Sequence, residues 1–172
     1  FMLKGLSELE EGSGRGQPGP SWTLGAQAVE VEVNTRELTY RILSATSVLD
    51  IGCALNPEAM RAMVAGGMTM GISLASRESF DYDGRGILTT PTLRTYKLLH
   101  IGQEPDYRVD FVETPESESP YGVRSYAEHG IIGIAAALGN ALSTAFGKEL
   151  LSLPLTPERI WRSVKEDTDD SL

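Results

Sequence analysis

Residues 25–42, GAQAVEVEVNTRELTYRI, decide the fold. Val29, Val31 and Val33 alternate with Glu30 and Glu32, and after a polar interval Leu38, Tyr40 and Ile42 repeat the same period of two. Successive side chains on a strand point to opposite faces, so each run predicts a strand with one apolar and one wet face. Residues 34–37 are polar and can turn the chain, which predicts an antiparallel hairpin whose second strand runs on toward Ile51.

Outward from the hairpin the period becomes helical. Asn56-Pro57-Glu58 offers a capping side chain, a proline whose missing N–H costs nothing in a first turn, and an acid near the positive end of a helix dipole. Met60, Met63, Val64, Gly67, Met68, Gly71 and Ile72 then recur at helical spacing and predict a methionine-rich core stripe. Ala65, Gly66, Gly67 and Gly71 leave room for something to approach that helix closely. Asp83-Gly84 predicts a turn, residues 109–113 a short strand and residues 114–120 a polar loop. A further helix is predicted to begin near Glu128, and Thr156-Pro157-Glu158 starts a last short one. Upstream, residues 2–11 are expected to form a short helix, while residues 12–21, with Gly, Pro or Ser at eight of ten positions, form an irregular connection. The expected division is an irregular N-terminal segment and linker over 1–21, a folded domain over 22–165 and an unstructured acidic tail over 166–172. Hairpin, helix, strand and helix without regular alternation predict an α+β fold, a two-layer sandwich of helices on a mostly antiparallel sheet.

Composition excludes several functions. The 172 residues can bury a substantial core, and 41% apolar with 23% charged residues is ordinary for a globular domain. A net charge of −9 opposes binding to nucleic acid, whose affinity comes largely from Lys and Arg displacing counterions. Cys53 is the single cysteine and His100 and His129 are the only histidines, too few for an ordinary zinc cage, so no side chain is assigned as a metal ligand. The chain opens on Phe1 with no basic-then-apolar leader, and we expect a domain cut from a longer, cytoplasmic protein. The least charged run, residues 129–147, contains Gly130, Gly133, Gly139, Asn140, Ser143 and Thr144, which suits a buried helix better than a membrane span. No GxSxG elbow is present, and the glycines of residues 12–19 lack the Lys-Ser or Lys-Thr of a phosphate loop, so hydrolase and NTPase readings are set aside. Glu116 and Glu118 read as a solvated turn, since acid and base carboxylates need burial to separate their pKa values. His100 reads as structural.

One stretch carries candidate chemistry: YGVRSYAEHG, residues 121–130. Ser125-Tyr-Ala-Glu128 fits a capping box, in which the Ser hydroxyl and the Glu carboxylate satisfy each other's backbone N–H groups. The same carboxylate, at a turn before an apolar helix, can equally serve as a base. His129 can orient it or simply sit at the helix start.

A resemblance separates these roles. GAQAVEVEVN (25–34), DIGCALNPEAMRAMVAGGMTMGI (50–72), LTTPTLRTYKL (88–98), YGVRSYAEHGIIG (121–133) and LPLTPERIW (153–161) resemble, in that order, the C-terminal part of the molybdenum-cofactor subunit of the xanthine dehydrogenase and aldehyde oxidase family, most of all its bacterial xanthine-dehydrogenase-type members. The resemblance implies an enzyme that hydroxylates an electron-poor carbon of an N-heterocycle, a xanthine-like purine for instance, or of an aldehyde, with oxygen from water. It assigns the general base to Glu128. Met70, Gly71 and Ala127 fall at cofactor-binding positions, and Arg124 and Tyr126 at substrate-side positions. The implied cofactor is molybdopterin, as its cytosine dinucleotide, with a molybdenum held by the cofactor's own sulfurs. Iron-sulfur and FAD groups on partner subunits or domains, the N-terminal portion of the same subunit and a small-molecule substrate complete the implied assembly, with no nucleic acid and no membrane. The chain departs from the family's pattern at Ala127, which replaces a usual Gly, at Tyr126, which replaces a small aliphatic residue, at Met70, which replaces a frequent Gln whose amide bonds the pterin, and at Met63, which replaces another frequent Gln. A thioether offers no N–H. These departures keep open a noncatalytic scaffold or assembly domain that has lost the cofactor.

Overall fold

The computed structural model describes residues 5–19 and 21–169. β1 (Gly25–Asn34) and β2 (Thr39–Asp50) form the antiparallel hairpin, paired from Gly25 opposite Leu49 to Asn34 opposite Thr39, with a bulge after Glu30 that leaves Leu43 unmatched. The Asn34 side-chain oxygen accepts from the N–H groups of Arg36 and Glu37 and so closes the turn. β3 (Asp106–Val112) adds to the other edge of β2 in parallel, giving the order β1-β2-β3. A parallel neighbour requires a long crossover, and residues 51–105 provide it. Pairing on both edges makes β2 the central strand, so its alternate residues Ala45, Ser47 and Leu49 are fully enclosed.

α1 (Pro57–Ser76) lies on this face, started by Asn56, whose side-chain oxygen accepts from the Ala59 N–H. Met60, Val64, Met68 and Ile72 of α1 pack with Ala45, Leu49, Ile51 and Ile134 in one apolar cluster. Thr69 donates to the Tyr107 hydroxyl of β3 at 2.8 Å, and the Arg61 guanidinium sits 5.5 Å from the centre of the Phe111 ring. Burying a methionine this completely is worth about 1.5–3 kcal/mol. The predicted methionine stripe is divided, however: Met60 and Met68 are buried while Met63 is exposed, as is Met70, which lies outside the stripe.

After a tight turn at Asp83, whose carbonyl accepts from Gly86, and the single-turn α2 (Leu93–Tyr96), the chain passes through β3 to α3 (His129–Ile132) and α4 (Ile134–Phe146). Residues 129–146 are long and apolar enough to span a membrane by length and composition, yet Ile134, Leu138 and Leu142 are buried in the domain, and α4 packs on β1. Leu138 and Leu142 join Leu38, Ala75, Leu150, Leu155 and Ile160 in a second cluster. The Tyr40 hydroxyl donates to the Leu155 carbonyl at 2.8 Å, and burial pushes its pKa up to about 12, so this donor persists at any moderate pH.

Two expectations are corrected. Residues 5–11 are not helical; the segment folds back on itself through bonds from Ser7 N–H to the Gln17 carbonyl and Glu10 N–H to the Arg15 carbonyl, with Gly12 and Gly14 at positive φ making the reversal. Residues 2–4 lie outside the described residues. α5 (Pro157–Asp169) continues as helix through residues 166–169 of the acidic run 166–172 that was expected to be unstructured, and residues 170–172 lie outside the described residues. The α+β sandwich holds, with seven parallel β2-β3 pairs added to the antiparallel hairpin.

Candidate functional site

The loop from Thr114 to Glu128 is pinned from below. The Arg124 N–H donates to the Ile51 carbonyl at 2.8 Å, next to the end of β2. Its guanidinium lies 3.1 Å from a Glu116 oxygen and 3.7 Å from an Asp50 oxygen, and it donates to the carbonyls of Trp22 and Thr114. The three charged side chains are 15–17% exposed, so the pairing is largely closed to solvent. Partial burial works to raise the Asp50 pKa, but hydrogen bonds from Gly52 and Thr114 and the Arg124 charge outweigh it and hold the carboxyl below its ordinary value. Two readings change accordingly. Glu116 is not a solvated turn residue but the carboxylate facing Arg124, and Arg124 holds the loop with its donors turned inward rather than toward a substrate. Tyr126 packs against the first core cluster.

Glu128 follows at the mouth of α3 and is exposed. It is the N-cap residue, but its side chain makes no capping bond, and no reciprocal pair forms with Ser125. Instead the Ser125 carbonyl accepts from the Thr23 hydroxyl at 2.6 Å. The capping explanation therefore lapses, and the carboxylate lies exposed beside exposed Ala127 with no bond to other described residues.

α3 meets α1 through a glycine pair. A Cβ on Gly130 would strike the Val64 carbonyl oxygen and lie 3.0 Å from the Gly67 Cα, so the two backbones touch only because neither residue has a side chain. Gly71 is buried a turn further along, where a Cβ would lie 3.2 Å from the Ile131 carbonyl. Its smallness serves helix packing in this domain. Beside this seam, Met63, Gly66, Met70 and Leu74 form an exposed strip of α1, with Met70 59% and Leu74 42% accessible. A Cβ on Gly66 would meet nothing within 4 Å. Ile132 of α3 is 68% exposed.

Sequence reasoning passed over Gln27. Its amide nitrogen donates to Ser47 Oγ at 3.2 Å and to the carbonyls of His129 and Gly130 at 3.1 and 3.0 Å, bracing the start of α3 against the sheet. Gln27 Oε1 and His129 Nδ1 are buried with no partner. The signal was present: Gln27 shares the inward parity of Val29, Val31 and Val33, so a polar residue stood on the apolar face.

Among the described residues no cluster of three or more His, Cys, Asp or Glu side chains is placed to hold a metal ion. A cavity of about 650 Å³ between Tyr40, Arg77, Lys97 and His100 does not include Glu128. The donor set around Glu128 nevertheless suits an organic cofactor rich in acceptors. The N–H groups of Ala127 and Glu128 make no hydrogen bond to other described residues, and the apolar strip of Met63, Gly66 and Met70 lies on the helix that packs against α3. A planar pterin could rest on the strip and accept from the turn, although Met70 adds no donor of its own.

Comparison with known proteins gives one answer. Residues 2–105 match the molybdopterin cofactor-binding domain family. The chain is 36% identical over 138 residues to the putative xanthine dehydrogenase molybdenum-binding subunit of Escherichia coli, covering 80% of this chain and 18% of that protein. It is 31% identical over 149 residues to the nicotine 6-hydroxylase large subunit of Paenarthrobacter nicotinovorans, covering 85% and 18%. The aldehyde oxidoreductase of Desulfovibrio gigas superposes with a TM-score of 0.85 at 26% identity, over 96% of this chain and 18% of that one. The chain thus spans about a fifth of the length of the relatives it matches. Its fold and its sequence together place it in the molybdopterin cofactor-binding domain family, among the molybdenum-binding subunits of the xanthine dehydrogenase and aldehyde oxidase group.

Proposed function

We propose that this chain is the C-terminal portion of a cytoplasmic molybdenum hydroxylase that oxidatively hydroxylates an N-heterocycle, a xanthine-like purine first among them, or an aldehyde, with Glu128 as general base. When bound, molybdopterin in its cytosine dinucleotide form supplies the two-electron oxidation and the water-derived oxygen. The chain contributes the rest of one wall. Glu128 receives the proton that the attacking oxygen loses, and its position follows from the Arg124 anchor on one side and the Gly67-Gly130 seam on the other. The N–H groups of Ala127 and Glu128 would donate to acceptors of the cofactor, and Met63, Gly66 and Met70 would supply apolar contact to it. Tyr126 limits the pocket on the substrate side. The N-terminal portion of the subunit closes over Glu128, and iron-sulfur and FAD partners carry the electrons away. The observation that carries this reading is a carboxylate that makes no bond to other described residues, exposed at the mouth of α3 and following a loop that the Arg124 ion pairs hold in place.

General-base assistance contributes roughly 100- to 10,000-fold in rate. Glu128→Gln in the complete enzyme is therefore expected to lower kcat by that range while molybdenum content and thermal midpoint stay unchanged. Near-normal turnover in that variant would end the assignment. A second reading, a noncatalytic assembly domain, draws on Met70, whose exposed thioether cannot donate to a pterin. Molybdenum analysis of the intact complex separates the two: one metal per protomer supports the enzyme, and none supports the assembly domain.

A further inference from the structure

Gln27 makes a bond pattern that core packing does not require. Its residue partners on α3 lie 102 and 103 positions away, and both are carbonyls of the first turn, immediately after Glu128. Carbonyls at a helix start ordinarily accept from N–H groups four residues on. Here α3 is interrupted at Gly133, and the carbonyls of His129 and Gly130 also receive the Gln27 amide. Two further features show that the amide has a reserved place. A Cβ on Gly133 would sit 2.6 Å from Gln27 Oε1, so glycine there keeps the amide where it is. Gln27 Oε1 itself is buried without a partner, so this orientation is kept although it leaves an acceptor unsatisfied. Rotation of the amide would fill nothing on the α3 side, because both groups it faces there are acceptors.

We infer that Gln27 is a positioning residue for Glu128: by fixing the two peptide planes that follow His129, it holds the first turn of α3 and so sets the direction in which the carboxylate leaves the turn. The inference rests on the reading of Glu128 as the base. A displacement of about 1 Å at a reacting group can cost on the order of 100-fold, so loss of the brace should lower kcat by about 10- to 100-fold with KM little changed. Gln27→Met in the complete enzyme keeps the side-chain volume and removes both N–H donors. The expected result is that fall in kcat, with molybdenum content retained and faster hydrogen exchange at the amides of residues 128–132. Gly133→Ala presses on Gln27 Oε1 from the other side and should reproduce the effect without touching Gln27; it carries the same test if Gln27→Met does not fold. A double-mutant cycle with Glu128→Gln separates positioning from general support. If Gln27 acts through Glu128, neither brace variant lowers turnover further once the carboxylate is gone. Equal losses in both backgrounds, or unchanged exchange at residues 128–132, overturn the positioning role while leaving Glu128 as base. Normal turnover in Glu128→Gln alone overturns the base assignment instead.

Discussion

α1 carries two pairs of methionines that share one helix and differ in every other respect. Met60 and Met68 are 2% and 0% exposed between helix and sheet, whereas Met63 and Met70 are 48% and 59% exposed on the strip beside α3. The sequence reading counts Met60, Met63 and Met68 on one core stripe, whereas Met70 stands outside it at a position the resemblance gives to the cofactor. The difference teaches where the chain is finished and where it is not. The inner pair faces groups the chain itself supplies: Ala45 and Leu49 of β2 and Ile134 of α4. The outer pair adjoins exposed Leu74, open Gly66 and, across the glycine seam, the Glu128 turn. Large apolar side chains gathered on one face mark a surface that something else covers.

The comparison is broken most directly at its buried member. Met68→Ala removes a fully enclosed side chain and leaves a cavity that the sheet cannot fill, which should cost about 2–5 kcal/mol. Denaturant unfolding of the chain measures it. A cost under 1 kcal/mol would mean that the inner face is as loosely occupied as the outer one. Next in size is the seam between the two faces. Gly130→Ala forces a methyl group against the Val64 carbonyl, and either α3 or α1 must move, at about 1–3 kcal/mol. The shift also tilts the Glu128 turn, so in the complete enzyme kcat should fall together with stability. Met68→Ala should lower stability with much less effect on kcat.

Much of the finished side was legible beforehand. Alternation in Val29, Val31 and Val33 needs only a local rule, and the Asn56-Pro57 start of α1 needs only its own first turn. What escaped depends on partners far along the chain. β3 begins at Asp106 rather than near Val109 because Tyr107 reaches Thr69 on α1 and the strand pairs in parallel with β2. Glu116 looked like a loop carboxylate because nothing near it in sequence shows that Arg124 folds back over it. α5 outlasts its expected boundary because helix propensity in an acidic run is compatible with continuation once Ile160 is anchored in the second cluster. Of the candidate site, Glu128 was singled out by resemblance, while its freedom from capping was not legible, since the capping box requires the helix to start after Ser125 and α3 starts three residues later with Glu128 itself as N-cap.

The Arg124 loop lies between the two extremes, partly closed and charged, and acid probes it. The folded Asp50 carboxyl lies below its ordinary 3.8, so its contribution to stability is complete above that value and is lost as pH falls through the lower, folded value. Unfolding of the chain and of Asp50→Asn should be compared from about pH 5 to about pH 2. The two curves should converge at the acid end as the native carboxyl takes up its proton. A gap that stays constant through acid would show that the Gly52 and Thr114 bonds do not favour the charged form.

The smallest effect is predicted where the sequence suggests a large one. Met70 is as large and apolar as Met68, two residues away, and a buried methionine truncated to alanine is costly. With more than half of its surface already in water, Met70 gives up little on truncation, and no cavity forms because no second wall stands over it. Alanine is also the better helix former, which offsets part of the remaining loss. Met70→Ala should therefore change the unfolding free energy of the chain by less than about 0.5 kcal/mol. In the complete subunit the same substitution should cost more, because there the strip has a neighbour. Equal and small effects in both settings would show that the strip stays bare after assembly, and the division of α1 into a finished and an unfinished face would lose its meaning.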